Sequence, residues 1–313
     1  MEDCIYMIQS APPGLETATP LVLVHDGGGT IVSYCYLDSL DRAVYGIQNP
    51  RLYSGQPWDG GLPEMARVYA DLILSVVPSG PLLLGGWSLG GLLSLEVANI
   101  LLRTSAVRVL GLVMIDSIYP LAISQAVSNV VGPQPVFSKD TRAETRQLVS
   151  HCMELAQSMV DSWIPPVWRG CSDSGLILKR TELEKELSLI EPRPPAIMED
   201  HADAVAPANI TYSDMKNGTT ASNANIDFPS IPKTILLRCD DYVPVSMPDT
   251  PDAVCRVDVV RELRSLGWEK YPHHFTPAVL NVSGHHFNLF TDEYIDQISI
   301  QIRQSCKMLE RDS

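Results

Sequence analysis

The sequence predicts an α/β fold in which a mostly parallel sheet of about seven strands carries helices on both faces. Short apolar runs alternate with helical stretches over residues 4–115, a pattern typical of a parallel sheet covered by helices. The alternation stops near residue 119 and resumes near residue 230. A chain of 313 residues is long enough for one large domain of this class with a sizeable insertion.

Seven short apolar runs are the strand candidates. In chain order they are Cys4–Ile8, Leu21–His25, Ala43–Ile47, Pro81–Gly86, Val107–Ile115, Lys233–Cys239 and Ala278–Val282. Apolar residues at helical spacing predict four core helices. These are expected at Ile31–Leu40, Pro63–Val77, Leu89–Arg103 and Thr291–Leu309.

The stretch from residue 119 to residue 229 is rich in Pro, Ser, Asn and Asp, which favour turns and loops. Two clear helices are predicted within it, near Thr141–Trp163 and Glu182–Ile190. We therefore expect one core formed by residues 1–118 and 230–313, with residues 119–229 as an insertion between its two parts.

Charge and composition exclude several classes of partner. The formal net charge of −14 argues against binding to nucleic acid or to an anionic membrane surface. The chain has no signal-peptide pattern and no apolar stretch as long as a membrane span. Its seven cysteines show no Cys-x-x-Cys pair and no zinc-type spacing with histidine, so we expect scattered thiols, most of them buried. A cytoplasmic protein with reduced cysteines is the expectation.

The most informative motif is Gly86-Trp87-Ser88-Leu89-Gly90. It follows an apolar strand and precedes a helical pattern, which is typical of the nucleophile elbow of α/β-hydrolases. There the glycines permit a strained turn that exposes the serine hydroxyl at a helix N-terminus. Ser88 is therefore the candidate nucleophile.

A serine nucleophile needs a base and an acid that orients the base. The order expected for this fold is serine, acid, histidine, so the base should follow the last strand, where His285 and His286 compete. The acid candidates are Asp116 after one core strand, or Asp240 and Asp241 after the next. All of them should lie at the carboxyl edge of the sheet.

An oxyanion hole needs two backbone amides. One is expected from Leu89, directly after the nucleophile, and the other from the glycine loop after the second strand. Gly28 is our first candidate there and Gly27 our second. Four further residues are candidates for lining a substrate pocket: His25, Trp87, Trp163 and Trp168.

These motifs together resemble thioesterases of fungal polyketide and nonribosomal peptide synthetases, which are members of the α/β-hydrolase superfamily. The resemblance covers the glycine loop, the Ser88 elbow, Leu112–Asp116 and Gly284-His285-His286-Phe287. It implies that the acid is Asp116 and that the base is His286. It also implies seven core strands with a helical lid. A start at Met1 only a few residues before the first strand favours a free-standing enzyme, although an excised domain would look similar.

The resemblance implies that an acyl or peptidyl chain passes from the phosphopantetheine of a carrier protein to Ser88. Water or an internal nucleophile would then release it by hydrolysis or cyclisation, and neither a metal nor a redox cofactor is implied. Two alternatives stay open. One is a carboxylesterase or lipase that acts on oxygen esters with the same residues. The other is a non-catalytic relative that binds a ligand or guides a cyclisation.

Overall fold

The computed structural model describes residues 4–122, 129–132, 139–170, 228–245, 252–271 and 277–311, together with isolated positions at 135, 137, 177, 179, 180, 182, 185, 273 and 275. The strands within these residues are β1 Ile5–Gln9, β2 Leu21–Val24, β3 Val44–Ile47, β4 Ser79–Trp87, β5 Ala106–Ile115, β6 Val130–Val131, β7 Thr234–Cys239, β8 Val254–Cys255 and β9 Ala278–Val282. The α-helices are α1 Gly61–Val76, α2 Leu89–Thr104, α3 Ala143–Asp161 and α4 Ile295–Arg311.

Seven of these strands form one sheet in the order β1-β3-β2-β4-β5-β7-β9. β1 pairs antiparallel with β3, and the other neighbours pair in parallel. The α/β fold with a mostly parallel sheet is therefore confirmed. All seven strand candidates are in it. The short parallel pair β6–β8 forms a second, separate sheet that the sequence patterns did not indicate.

The two faces of the main sheet are covered by different helices. On one face α1 and α2 pack over strand residues such as Val22, Leu84 and Leu112. On the other face α4 covers Leu23, Val113 and their neighbours. Because both faces are buried, the central strands are continuous apolar runs rather than alternating ones. The packing fixes the carboxyl edge of the sheet as the place where polar side chains from several strands meet.

Two predicted helices differ from the observed ones. Instead of a helix at Ile31–Leu40, the chain forms a single 3-10 turn at Val32–Tyr36. The segment is rich in aromatic, β-branched and serine residues, which are weak helix formers, and the buried Leu37 and Leu40 anchor it in extended form. The last helix begins at Ile295, after a series of turns. The expected helix at Glu182–Ile190 falls largely outside the described residues.

The part of the inserted segment that the structure describes includes α3, which lies within the expected helix at Thr141–Trp163. It contacts α1 at the carboxyl edge of the sheet. Within the residues described here, no helix has the length and apolar character needed to cross a membrane.

Candidate active site

The turn that carries Ser88 is held open by two glycines that have no room for a side chain. Ser88 has φ 57° and ψ −117°, a conformation that non-glycine residues rarely adopt. A Cβ atom on Gly86 would lie 2.6 Å from the Val24 carbonyl oxygen, and one on Gly90 would lie 2.3 Å from the same oxygen. The Gly-x-Ser-x-Gly pattern therefore follows from how closely this turn approaches strand β2.

Asp116 follows the neighbouring strand β5 and is fully buried. Its Oδ1 accepts hydrogen bonds from the Cys239 amide at 2.9 Å and from Arg261 Nη1 at 2.5 Å. Its Oδ2 accepts from Arg261 Nη2 and from His286 Nδ1, both at 2.8 Å. Both carboxylate oxygens are thus satisfied by named donors, as a buried charge requires.

The environment of Asp116 keeps its carboxyl group ionised. Burial by itself would raise the pKa of Asp116, but the Arg261 guanidinium and the hydrogen bonds from Arg261 and His286 hold it well below its usual range. A carboxylate can only accept hydrogen bonds, so His286 carries its proton on Nδ1. The other ring nitrogen, Nε2, is left free to accept a proton.

The competing residues lie elsewhere. His285 is half-buried, and its Nδ1 accepts a hydrogen bond from the Phe287 amide rather than facing Asp116. Asp240 is exposed and accepts a hydrogen bond from Asn281 at 2.6 Å, and Asp241 is also exposed. The structure thus brings Asp116 and His286 together, whereas Asp240, Asp241 and His285 are more exposed to solvent.

Ser88, Asp116 and His286 all line one pocket, which encloses about 740 Å³ when its open mouth is included. Most of its other walls are apolar. Helix α3 supplies one wall, and Arg256 and Val257 supply part of another. The remaining lining residues are Asp26, Gly27, Leu89, Leu92, Ile118, Pro120, Met153, Ala156, Gln157, Val160 and Phe287. Among the described residues, no group of three or more His, Cys, Asp or Glu side chains is arranged to hold a metal ion.

The two glycine candidates for the oxyanion hole have different positions. Gly27 lines the pocket, as does Leu89. Gly28 is buried, and its amide donates to Asp26 Oδ1 at 3.1 Å, so that this donor is already engaged. The geometry therefore favours Gly27, our second candidate, over Gly28, our first.

Asp26 is a residue of this pocket that sequence reasoning missed. Burial raises its pKa to about 7, although the Gly28 amide and its own backbone oppose the shift. Its place directly after a core strand, beside the glycine loop, was the available signal.

The four candidates for lining the pocket are not among its described lining residues. His25 is buried, with one ring nitrogen 2.5 Å from the Tyr69 hydroxyl and the other 2.5 Å from a backbone carbonyl. Trp87 packs under His286, with ring centroids 5.5 Å apart. The indoles of Trp163 and Trp168 are also buried, where they donate to Glu96 and to Tyr271. The three tryptophans are part of the hydrophobic core, whereas His25 is a buried polar residue held by its two hydrogen-bonding partners.

Comparisons with known proteins agree with this architecture. The Thioesterase domain family model matches residues 19–161. A probable thioesterase of Glarea lozoyensis is 31% identical over 96% of this chain and 92% of its own length. A thioesterase of Dothideomycetidae sp. is 31% identical over 98% of this chain and 96% of its length. The crystal structure of the NocB thioesterase domain from the nocardicin cluster shares the fold, with a TM-score of 0.54, 19% identity, and coverage of 96% of this chain and 97% of that one. The chain therefore belongs to the thioesterase family.

Proposed function

We propose that this protein is a serine thioesterase that takes an acyl or peptidyl chain from the phosphopantetheine thioester of a carrier protein. The chain would be bound covalently to Ser88 and then released by hydrolysis or by cyclisation. One observation carries the proposal. Ser88 and His286 line the same pocket, and His286 is hydrogen-bonded at 2.8 Å to an ionised, buried Asp116.

In the first half of the reaction, His286 Nε2 accepts the proton of the Ser88 hydroxyl as its oxygen attacks the thioester carbonyl. Asp116 holds the imidazole in the tautomer that leaves Nε2 free and stabilises the positive charge that forms on the ring. The carbon–sulfur bond then breaks. The proton on Nε2 goes to the departing thiolate, which leaves as the free thiol of the carrier.

The tetrahedral intermediate carries its negative charge on the former carbonyl oxygen. The amides of Leu89 and Gly27 are the donors that we assign to this oxyanion. Leu89 is the first residue of α2, so the positive end of that helix adds to the stabilisation. Donors fixed by the backbone need little reorganisation when the charge develops.

In the second half, His286 removes a proton from the second nucleophile as that group attacks the acyl-Ser88 ester. The proton then goes to Ser88 Oγ, and the free enzyme is restored. Water gives hydrolysis, whereas a hydroxyl, amine or carbon nucleophile within the bound chain gives a ring. The apolar walls of the pocket fit an acyl chain with apolar groups near its thioester end.

Intact-protein mass spectrometry with acyl thioesters tests the proposal. Incubation with a carrier-bound acyl thioester is expected to add the acyl mass to the wild type and not to Ser88→Ala. The free acid or the ring in the supernatant identifies the second nucleophile. Acylation of Ser88→Ala to the same extent as wild type would overturn the proposal, as would full turnover by that variant.

Two further reagents, a simple aryl ester and a fluorophosphonate, separate the two alternative functions. A carboxylesterase would turn over a simple aryl ester faster than the carrier-bound thioester, and it would not depend on the carrier. A non-catalytic relative would not react with a fluorophosphonate at Ser88. We expect fluorophosphonate labelling and a preference for the carrier-bound thioester.

A further inference from the structure

A buried arginine lies behind the acid of the site. Arg261 is 1% exposed and contacts two carboxylates at once. Its Nη1 and Nη2 donate to the two oxygens of Asp116, at 2.5 Å and 2.8 Å. Its Nε donates to Asp258 Oδ1 at 2.9 Å. This bidentate contact fixes the plane of the Asp116 carboxylate as well as its position.

The arginine is itself held in place. Asp258 is 3% exposed, and its Oδ2 accepts a hydrogen bond from the Val243 amide at 2.7 Å. The Arg261 amide donates to the Asp258 carbonyl at 2.9 Å, so the two residues lie on one turn of backbone. Neither Arg261 nor Asp258 lines the pocket. Arg261 Nη2 also donates to the carbonyl of Val257, a pocket residue, at 3.5 Å, which is a much longer contact than those to Asp116. We therefore expect the main influence of Arg261 on chemistry at Ser88 to pass through Asp116.

The charges of the cluster change in step with the proposed reaction. Asp116, Arg261 and Asp258 together carry one net negative charge beside a neutral His286. When His286 takes the serine proton, the cluster and the imidazolium together become neutral. In a buried site a neutral total is favoured, so the cluster stabilises the protonated histidine formed during the reaction.

We propose that Arg261, held by Asp258, is a positioning residue that orients the Asp116 carboxylate toward His286 Nδ1. This inference rests on the proposed function, because it gives Arg261 a role in activating Ser88. Without Arg261, Oδ1 of Asp116 keeps the Cys239 amide, and Oδ2 keeps only His286. The carboxylate is then free to tilt and to take up a proton, and both changes weaken its hold on the imidazole.

The test measures the second-order rate constant for labelling of Ser88 by a fluorophosphonate in folded protein. We expect Arg261→Met to lower this rate by about 100-fold, and Arg261→Lys, which keeps the charge but loses the fork, to recover about tenfold of that loss. Arg42→Met is the matched control. Arg42 is 2% exposed and forms an ion pair with Glu310 at 2.8 Å, but it does not line the pocket. Its labelling rate should stay within about twofold of wild type.

A double-mutant cycle separates positioning from general structural damage. If Arg261 acts through Asp116, adding Arg261→Met to Asp116→Asn should change the labelling rate by less than about threefold. A further loss of about 100-fold in that background would overturn the positioning role, because it would show an effect independent of Asp116. Should Arg261→Met not fold, Asp258→Asn and Arg261→Lys are compared with Asp116→Asn in the same way.

The outcomes for this inference and for the proposed function are distinct. Labelling that persists in Ser88→Ala would overturn the proposed function. Labelling that requires Ser88 and Asp116 but is unchanged in Arg261→Met would overturn only the role of Arg261. Three results together support that role. The labelling rate falls in Arg261→Met, it recovers in part in Arg261→Lys, and Arg261→Met has almost no further effect in the Asp116→Asn background.

Discussion

Two loops at the carboxyl edge of the sheet each place an aspartate in the pocket, and the two aspartates have opposite properties. Asp116, after β5, pairs with a buried arginine, and its pKa lies well below its usual range. Asp26, after β2, accepts a hydrogen bond from the Gly28 amide, and burial raises its pKa to about 7. The depth of a carboxyl group therefore does not decide its charge in this protein. A cation within hydrogen-bond distance does.

The loop after β2 also carries a second titratable group with a shifted pKa. Burial lowers the pKa of His25 to about 4, although a backbone contact with Asp26 opposes the shift. At neutral pH His25 is neutral and Asp26 is about half ionised, because its pKa lies near 7, whereas the cluster around Asp116 is built from full charges. The carboxyl group of Asp26 loses its negative charge as the pH falls below 7, whereas the cluster supplies a fixed negative charge behind His286.

The largest expected effect is the loss of the charge on Asp116. Asp116→Asn should lower kcat for thioester cleavage by about 10³–10⁴-fold, because an amide can hold His286 in the wrong tautomer. Steady-state kinetics with a carrier-bound thioester measures it. The matched control is Asp240→Asn, at an exposed aspartate after the next strand, which should keep nearly full activity. The reverse result would transfer the role of the acid to Asp240.

The second effect concerns how the unfolding free energy depends on pH, through His25 and Asp26 in the loop after β2. Between about pH 4 and 6.5, folded protein holds a neutral His25 and a protonated Asp26, while the unfolded chain holds both charged. The two states then bind equal numbers of protons at this pair. Its joint contribution to the slope of the unfolding free energy against pH is close to zero.

Substituting either residue of the pair should make the proton binding of the other visible in the slope of the unfolding free energy against pH. In Asp26→Asn the unfolded state binds one more proton than the folded state, at His25. Relative to wild type, the unfolding free energy should rise by up to about 1.4 kcal/mol per pH unit between pH 4.5 and 6.5, or about 3 kcal/mol in all. His25→Gln should show the opposite slope, because the extra proton is then on Asp26 in the folded state. Urea unfolding at a series of pH values measures both, and curves parallel to wild type would contradict the assigned protonation states.

The third prediction places a cation near Asp26, as Arg261 already lies near Asp116. A Cβ on Gly28 would lie 3.0 Å from Val149 Cγ1 and 3.2 Å from Asp26 Oδ1, so the side chain at 149 on α3 borders the Asp26 carboxyl group. Val149→Lys should lower the pKa of Asp26 by about one unit, worth about 1.4 kcal/mol, through charge attraction. A carboxyl NMR titration measures this, with Val149→Met as a control of similar length. Equal titration curves in the two variants would mean that the ammonium group does not reach Asp26.

The smallest effect distinguishes the two glycines next to Asp26. A Cβ on Gly27 meets Ala156 and Met153 at 3.7 and 3.8 Å, which are ordinary contacts. On Gly28 it would need Val149 or Asp26 to move. We expect Gly27→Ala to change the unfolding free energy by about 0.5 kcal/mol or less and Gly28→Ala to cost about 1 kcal/mol. Thermal unfolding measures the difference, and a larger cost at Gly27 would contradict the described geometry of the loop.

Much of the fold was predictable because its signals are local. Each of the seven sheet strands is a short apolar run, and the Ser88 elbow has glycines where the backbone approaches β2 too closely for a Cβ. The helix expected at Ile31–Leu40 was wrong for most of its length, since its spacing looked helical but its residues disfavour a helix. Trp163 and Trp168 were candidates for lining a pocket, with packing into the core as the alternative, and the structure places both indoles in the core.

The sequence by itself determined the α/β class, the strand that ends at Ser88, and a short set of acids and histidines able to serve it. These features depend on periodicity and on glycines a few residues apart. Only the tertiary structure decided that Asp116 faces Arg261, 145 residues later, and that His286, 170 residues after Asp116, is hydrogen-bonded to the same carboxylate. The physical reason is that backbone conformation is set mainly by neighbours in the chain. Charge, protonation and pocket position are set by whichever distant groups the fold brings within a few ångströms.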